Sequence, residues 1–263
     1  MKAGFFQFNP VFGDIHGNVG RVLDKLLHQD ADLIVLPELF STGYQFTAKD
    51  EVKELSEEVP SGFTTRRLIE FSRDRSVYIV AGLAERDGNV SYNSAVLTGP
   101  EGFLGVYRKV HLFFEEKLWF VPGNTGFRVW DTPIGAIGIM ICFDWFFPES
   151  ARTLAQMGAD VIAHPSNLVL PYCPDAMITR CLENRVFSVT ANRTGSEQRG
   201  GKDALNFIGM SEIVSPKGKV LYRASRDGEE FGKAEIDPAE ARNKDLNAYN
   251  NLFEDRREDF YKP

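Results

Sequence analysis

Nothing in these 263 residues is apolar for long enough to cross a membrane, since no run approaches the ~18 apolar residues of a spanning helix. A basic excess is missing too: 30 Lys and Arg stand against 37 Asp and Glu, for a net charge of −7. Phosphate backbones call for a concentrated basic surface, so nucleic acid is excluded as the main partner. Clusters such as Arg108-Lys109 and Arg256-Arg257 have acids close by and read as solvated faces or local ion pairs. Cysteine is scarce. Three of them, an odd number, exclude a disulfide framework and suit a reducing, cytoplasmic setting. The start, MKAGFFQFNP, has one lysine and a short apolar run that reads as a strand, not a signal peptide.

Several kinds of catalytic centre are also missing. The four histidines (His16, His28, His111, His164) are scattered without metal-ligand spacing, and Cys173 and Cys181 are not spaced as a zinc knuckle. No glycine-rich phosphate loop opens a helix, because Gly99, Gly102 and Gly105 fall in a hairpin, and no G-x-S-x-G elbow offers a serine nucleophile. A Cys–His pair stays open, with His111 or His164 as partner of Cys142.

What is present is an ordinary globular composition, 43% hydrophobic and 25% charged. Strands and helices alternate. KAGFFQF reads as a strand closed by Asn9-Pro10, Asn18 to Gln29 as a helix, DLIVLPE as a buried strand and Ser61 to Asp74 as a second helix. VYIVAGLAER is a strand, and SYNSAVLTGPEGFLGVYRK a hairpin bending at Gly99-Pro100. The second half repeats this order: strand GAIGIMIC, helix PESARTLAQMGA, strand DVIAHPSN, helix Ala176 to Arg185, strand VFSVTANR, then a hairpin around Pro216-Lys217-Gly218. GKAEIDPAEAR closes the series as a strand ending at a helix. Mixed sheets sandwiched by helices in a single domain over 1–263 are expected. Residues 243–263, polar with scattered aromatics, read as an arm packing on this or a neighbouring subunit.

Three apolar segments carry functional groups of different kinds. LIVLPE ends in Glu38, GVYRKVHLF holds Lys109 between an aromatic and a histidine, and GIMIC ends in Cys142. Ligands in open α/β sheets lie beyond the carboxyl ends of the strands, so the three can converge. Pro148-Glu149-Ser150 reads as a helix start, whose positive end would lower the pKa of a thiol in the preceding loop. A half-buried carboxylate at position 38 suits proton transfer in both directions, and a fixed ammonium at 109 suits an oxyanion. Thiol, carboxylate and ammonium together form a set for attack on a carbon–nitrogen bond.

LIVLPELFSTGY, YRKVHLF…E and GIMICFDWFFPES, in that order, resemble the three signature blocks of the nitrilase, or carbon–nitrogen hydrolase, superfamily. The likeness continues through GADVIAHPSN, RCLENRVFSVTANR and the DP-x-x-x-R-N ending. It implies a four-layer α-β-β-α sandwich with two mixed β-sheets, associating as a homodimer or larger homo-oligomer. It implies Glu38 as general base, Lys109 as the lysine, Cys142 as nucleophile and Glu116 as an acid that orients substrate, with Glu115 the alternative one position away. The implied reaction is hydrolysis of a small-molecule amide through a thioester, with the backbone N–H of Phe143 helping Lys109 at the oxyanion and with no metal or organic cofactor required. CFDWFFPE resembles amidase branches more than true nitrilases, which usually carry Trp-Glu after the cysteine. An aliphatic nitrilase and a non-catalytic binding protein are the alternatives. Tyr44, Trp119, Phe143, Trp145 and Asn167 are expected to line the substrate pocket.

Overall fold

A computed structural model describes residues 1–261. The first half runs β1 (Lys2–Gln7), α1 (Ile15–Leu26), β2 (Leu33–Val35), α2 (Lys49–Leu55), α3 (Phe63–Arg75), β3 (Tyr78–Asp87), β4 (Val90–Gly99) and β5 (Gly102–Arg108). A single turn, α4 (Glu116–Trp119), leads to β6 (Val129–Thr132), β7 (Gly135–Ile139), α5 (Pro148–Gln156), β8 (Val161–Pro165), α6 (Cys173–Asn184) and β9 (Phe187–Ala191). Then come a small ribbon of β10 (Ser196–Glu197) and β11 (Leu205–Asn206), the hairpin of β12 (Glu212–Val214) and β13 (Val220–Arg223), and β14 (Glu230–Glu235).

Two six-stranded mixed sheets result, in the orders β14-β1-β2-β3-β4-β5 and β13-β12-β9-β8-β7-β6. Each has three parallel strands at its centre, β1-β2-β3 and β7-β8-β9, flanked by antiparallel ones. The coarse repeat between the sequence halves is thus a repeat of sheets. The period-2 alternation of strands shows how they stack. In the first sheet, Phe5, Leu33, Val35, Val80 and Ala95 belong to a core shared with Ile137, Val161 and Val189 of the second sheet. Their neighbours Phe6, Ile34, Ile79 and Val96 face the other way, onto Val19, Val22 and Leu26 of α1 and Leu68 of α3. Helices α5 and α6 cover the second sheet through Leu154, Ala155 and Met177. This is the expected four-layer arrangement.

Differences from the sequence reading are local. Helix α1 starts at Ile15, earlier than expected, because Asp14 accepts a hydrogen bond from Gly17 N–H and caps the helix. Residues 36–38 leave β2 after Val35, and the helix expected after Asp237 is a short 3₁₀ turn, Pro238–Ala241. Helix α2 was not foreseen: KDEVKEL buries only Val52, so it has no apolar stripe to read. Strand β14 returns to pair with β1 in the first sheet, a long-range pairing that periodicity does not encode. The arm beyond residue 243 forms a two-stranded ribbon and places Phe253 under Arg152 and Lys244, while Tyr249, Phe260 and Tyr261 stay exposed. Lys262 and Pro263 lie outside the described residues. No described helix is long and apolar enough to cross a membrane.

Candidate active site

Glu38 is set by a close approach of two chains. The segment leaving β2 crosses Gly82 of β3, whose N–H donates to Pro37 O at 3.2 Å and whose carbonyl accepts from Phe40 N–H at 3.0 Å. A Cβ on residue 82 would stand 2.5 Å from Glu38 Cα, so only glycine lets the carboxylate in. Leu39 follows at φ 50°, turning the chain sharply. Glu38 is fully buried, and its Oε1 accepts from Asn93 Nδ2 at 2.7 Å and from Lys109 Nζ at 2.6 Å. Its Oε2 is buried with no hydrogen-bond partner.

Lys109 emerges where β5 ends, and its ammonium also donates to Glu116 Oε1 at 2.8 Å. Glu116, at the start of α4, accepts in addition from Tyr44 OH at 2.7 Å and Phe113 N–H at 3.1 Å. The neighbouring Glu115 instead pairs with Lys202 at 2.7 Å, so it is Glu116 that meets Lys109. Burial alone would push the Lys109 ammonium down, but Glu116 and Glu38 outweigh it and hold the group well above its ordinary range. Burial pushes the Glu116 carboxyl up to about 7, with Lys109 opposing and Glu38 adding to the rise.

Cys142 ends the run that follows β7 and sits at φ 39°, a left-handed conformation unusual for a side-chain-bearing residue. It opens a 3₁₀ turn, Cys142–Phe146, that intervenes before α5 at Pro148. The expectation of a thiol acidified by that helix end fails here. Burial pushes the thiol well above its ordinary value, Glu38 adds to the rise, and Lys109 and a hydrogen bond from Asn167 N–H only partly oppose it. The resting group is a protonated thiol, and attack requires a base. Cys173 and Cys181 are fully buried away from any such set, and burial lifts Cys181 to about 12.

The strained turn is fastened by residues the sequence reading missed. Asp144, fully buried, accepts from Ile141 N–H at 2.9 Å, Tyr107 OH at 2.7 Å and His111 N–H at 3.1 Å, and contacts His111 Nδ1 at 2.7 Å. The motif YRKVH therefore ties the end of β5 to the cysteine turn, fixing Lys109 relative to Cys142. His164 lies under the turn: burial lowers its pKa to about 4, so it is neutral at pH 7 and its Nε2–H donates to the Cys142 carbonyl at 3.0 Å. Both histidines that had been open as thiol partners are thus bound to the backbone or to Asp144. The available signal was polarity in apolar strands, as in SYNSAV and VIAHP.

A small cavity opens at Cys142 and is walled by Phe113, Phe143, Trp145, Asn167 and the 168–170 segment. Asn167 donates from Nδ2 to the Glu38 carbonyl at 2.9 Å, and its Oδ1 is buried without a partner. Tyr44 stands behind Glu116 and does not line this cavity. Nor does Trp119, which packs with Phe46 and Phe120 and carries the Lys202 ammonium over its ring at 5.0 Å.

The carbon–nitrogen hydrolase family model matches residues 2–244. A relative named nitrilase, from Pyrococcus abyssi, is 54% identical over 99% of both chains. An (R)-stereoselective amidase from a Pseudomonas species is 36% identical, over 86% of this chain and 82% of its own. Among solved structures, a carbon–nitrogen hydrolase from Helicobacter pylori G27 superposes with a TM-score of 0.87 at 27% identity, covering 99% of this chain and 97% of its own. A mutant amidase from Nesterenkonia sp. AN1, with the acetamide moiety of fluoroacetamide covalently added at its active-site cysteine, gives a TM-score of 0.80 at 25% identity over 98% and 94%.

Proposed function

Because the chain belongs to the carbon–nitrogen hydrolase family, whose members act on carbon–nitrogen bonds other than peptide bonds, we propose that it hydrolyses small-molecule amides through a thioester on Cys142. One observation carries the reading: Lys109 is held between Glu38 and Glu116, one buried oxygen of Glu38 is left without a partner, and the charges of Glu38 and Lys109 both bear on a protonated thiol at Cys142. A base with an unused lone pair and an acid-locked ammonium are what a neutral thiol needs in order to attack a carbonyl.

The steps follow from protonation states. The sulfur forms a bond to the amide carbon as Glu38 takes the thiol proton. Lys109 and the Phe143 N–H stabilise the negative oxygen. The carbon–nitrogen bond breaks as Glu38 returns its proton to nitrogen, and ammonia leaves a thioester. Water then attacks the thioester and gives a proton to Glu38. The carbon–sulfur bond breaks, the proton goes back to sulfur, and the carboxylic acid is released. In its ionised form Glu116 holds Lys109 and Tyr44. No metal or organic cofactor enters this scheme.

A second reading, direct hydrolysis of an aliphatic nitrile, is favoured by the relative at 54% identity that is named nitrilase. Release of ammonia from amide and nitrile pairs with the same carbon skeleton separates the two. Activity on amides that vanishes in Cys142→Ala and Glu38→Gln supports the proposal, and activity on nitriles alone hands it to the second reading. Hydrolysis that survives Cys142→Ala refutes both. The exposed Tyr249, Phe260 and Tyr261 support a place for the arm at a homo-oligomer interface, which sedimentation of the full chain tests. Three unpaired cysteines are in keeping with a cytoplasmic setting.

A further inference from the structure

The walls of the cavity carry information about the substrate beyond the bond that is cut. Apart from the thiol and Asn167, every wall residue is aromatic or aliphatic: Phe113, Phe143, Trp145 and the Leu168–Val169–Leu170 segment. None carries a charge. Two nearby cations are already engaged, Lys202 with Glu115 and Arg199 with Glu51. Bringing an ionised group into such a pocket without a partner costs several kcal/mol, a penalty the walls cannot offset. The walls are also braced. Leu168 donates its N–H to Asn192 Oδ1 at 2.8 Å and accepts from Ile208 N–H at 3.0 Å, and the Trp145 carbonyl accepts from Arg180 Nε at 3.2 Å.

Around the site three buried acceptors remain unmet, Glu38 Oε2, Asn93 Oδ1 and Asn167 Oδ1, and of their residues only Asn167 lines the cavity. Asn167 Nδ2 donates to the Glu38 carbonyl, and that bond fixes which end of the Asn167 amide is the free oxygen. Buried acceptors in native proteins are almost always satisfied, so an orphan oxygen on a residue that shares the cavity wall with Cys142 marks a place where a donor is meant to arrive. A primary carboxamide brings two N–H donors on the nitrogen that departs. A nitrile brings none.

Resting on the proposed hydrolase reading, we infer that the substrate is a primary carboxamide with a short, uncharged, apolar acyl group, and that Asn167 is the residue that selects it. Asn167 Oδ1 accepts one N–H of the leaving nitrogen, orienting it so that the carbonyl oxygen faces Lys109. Trp145 limits the length of the acyl chain.

The test uses the full-length protein and four probes of similar size: isobutyramide, isobutyronitrile, the anionic succinamate and the cationic 4-aminobutanamide. Ammonia release should favour isobutyramide over either charged amide by at least about tenfold in kcat/KM. Asn167→Ala should cut kcat/KM for isobutyramide by about 10- to 100-fold and for isobutyronitrile by less than about threefold, lowering the amide-to-nitrile ratio. Trp145→Ala should admit hexanamide, which the wild type turns over poorly. A charged amide preferred over isobutyramide, or equal losses on amide and nitrile in Asn167→Ala, overturns the inference while leaving the hydrolase reading intact. Turnover of any probe that persists in Cys142→Ala sinks the reading itself. The substrate series needs no variant, so it decides the charge argument even where a substitution fails to fold.

Discussion

Gly82→Ala reaches the proposed base without touching it. The new methyl carbon would lie 2.5 Å from Glu38 Cα, 2.9 Å from Pro37 O and 3.0 Å from Leu39 N, all of them backbone atoms that no rotamer can move aside. Carbon–carbon contacts settle near 3.5–4.0 Å, so Glu38 and β3 must part by roughly 1 Å. Gly82 is hydrogen-bonded to the crossing segment on both sides, so the parting also stretches those two bonds. A misplacement of about 1 Å at a reacting group costs on the order of 100-fold in rate, and overpacking of this kind costs about 1–3 kcal/mol of stability. The protein should therefore stay folded, with a lowered melting temperature, while kcat for ammonia release falls about 100-fold. Gly20→Ala is the control: it lies within α1 with open space around its Cβ position and should leave kcat unchanged while raising stability by a few tenths of a kcal/mol. Calorimetry and steady-state kinetics on the two variants suffice. A Gly82→Ala protein with wild-type kcat would refute the claim that the base is held by this crossing.

Alkylation by iodoacetamide, followed by mass spectrometry, should modify Cys142 slowly at pH 7 and faster as pH rises above 9, with Cys173 and Cys181 spared; rapid labelling at neutral pH would contradict a protonated resting thiol. Glu116, lifted to about 7, is protonated below that pH and loses its hold on Lys109 and Tyr44, so kcat/KM should rise with pH through about 7 and the inflection should vanish in Glu116→Gln. Asp144→Ala orphans the Tyr107 hydroxyl and the Ile141 and His111 amides, at about 1–3 kcal/mol per group, and should lower kcat far more than it alters KM. Glu212 is raised from 4.5 to about 7 by burial, with Arg223 opposing. A raised carboxyl favours the fold fully only below pH 4.5, and that advantage is lost as pH climbs to 7; the 2.5-unit difference corresponds to about 3 kcal/mol, so melting temperature should fall across this range less steeply in Glu212→Gln.

The proposed reacting groups stood out in the sequence because each sits in or at the end of an apolar run, where a polar side chain is out of place unless it has work to do. The same reasoning could not find their supports. Asn93 reaches Glu38 from β4, and Asp144 gathers donors from β5 and the loop after it; these contacts span 55 and 37 residues of sequence. Layer order was readable because the halves repeat strand, helix, strand and hairpin. The return of β14 to β1 was not, since the pairing depends on where the second sheet releases the chain. The direction of the thiol shift was misjudged for a physical reason. A helix start nearby in sequence is not nearby in space when a 3₁₀ turn intervenes, and enclosure by protein plus a neighbouring carboxylate outweighs a distant dipole.

The proposed base and ammonium come from one sheet and the thiol from the other, so neither half of the chain owns a functioning centre. Turnover is then a gauge of how well two slabs are seated on each other. Any slippage between them, by heat, denaturant or a shaved side chain at their seam, registers as lost chemistry before either slab need unravel. Two separately made pieces, parted in the loop between β5 and β6, would each be inert and would recover turnover only by mating face to face with β14 of the second piece restored beside β1 of the first.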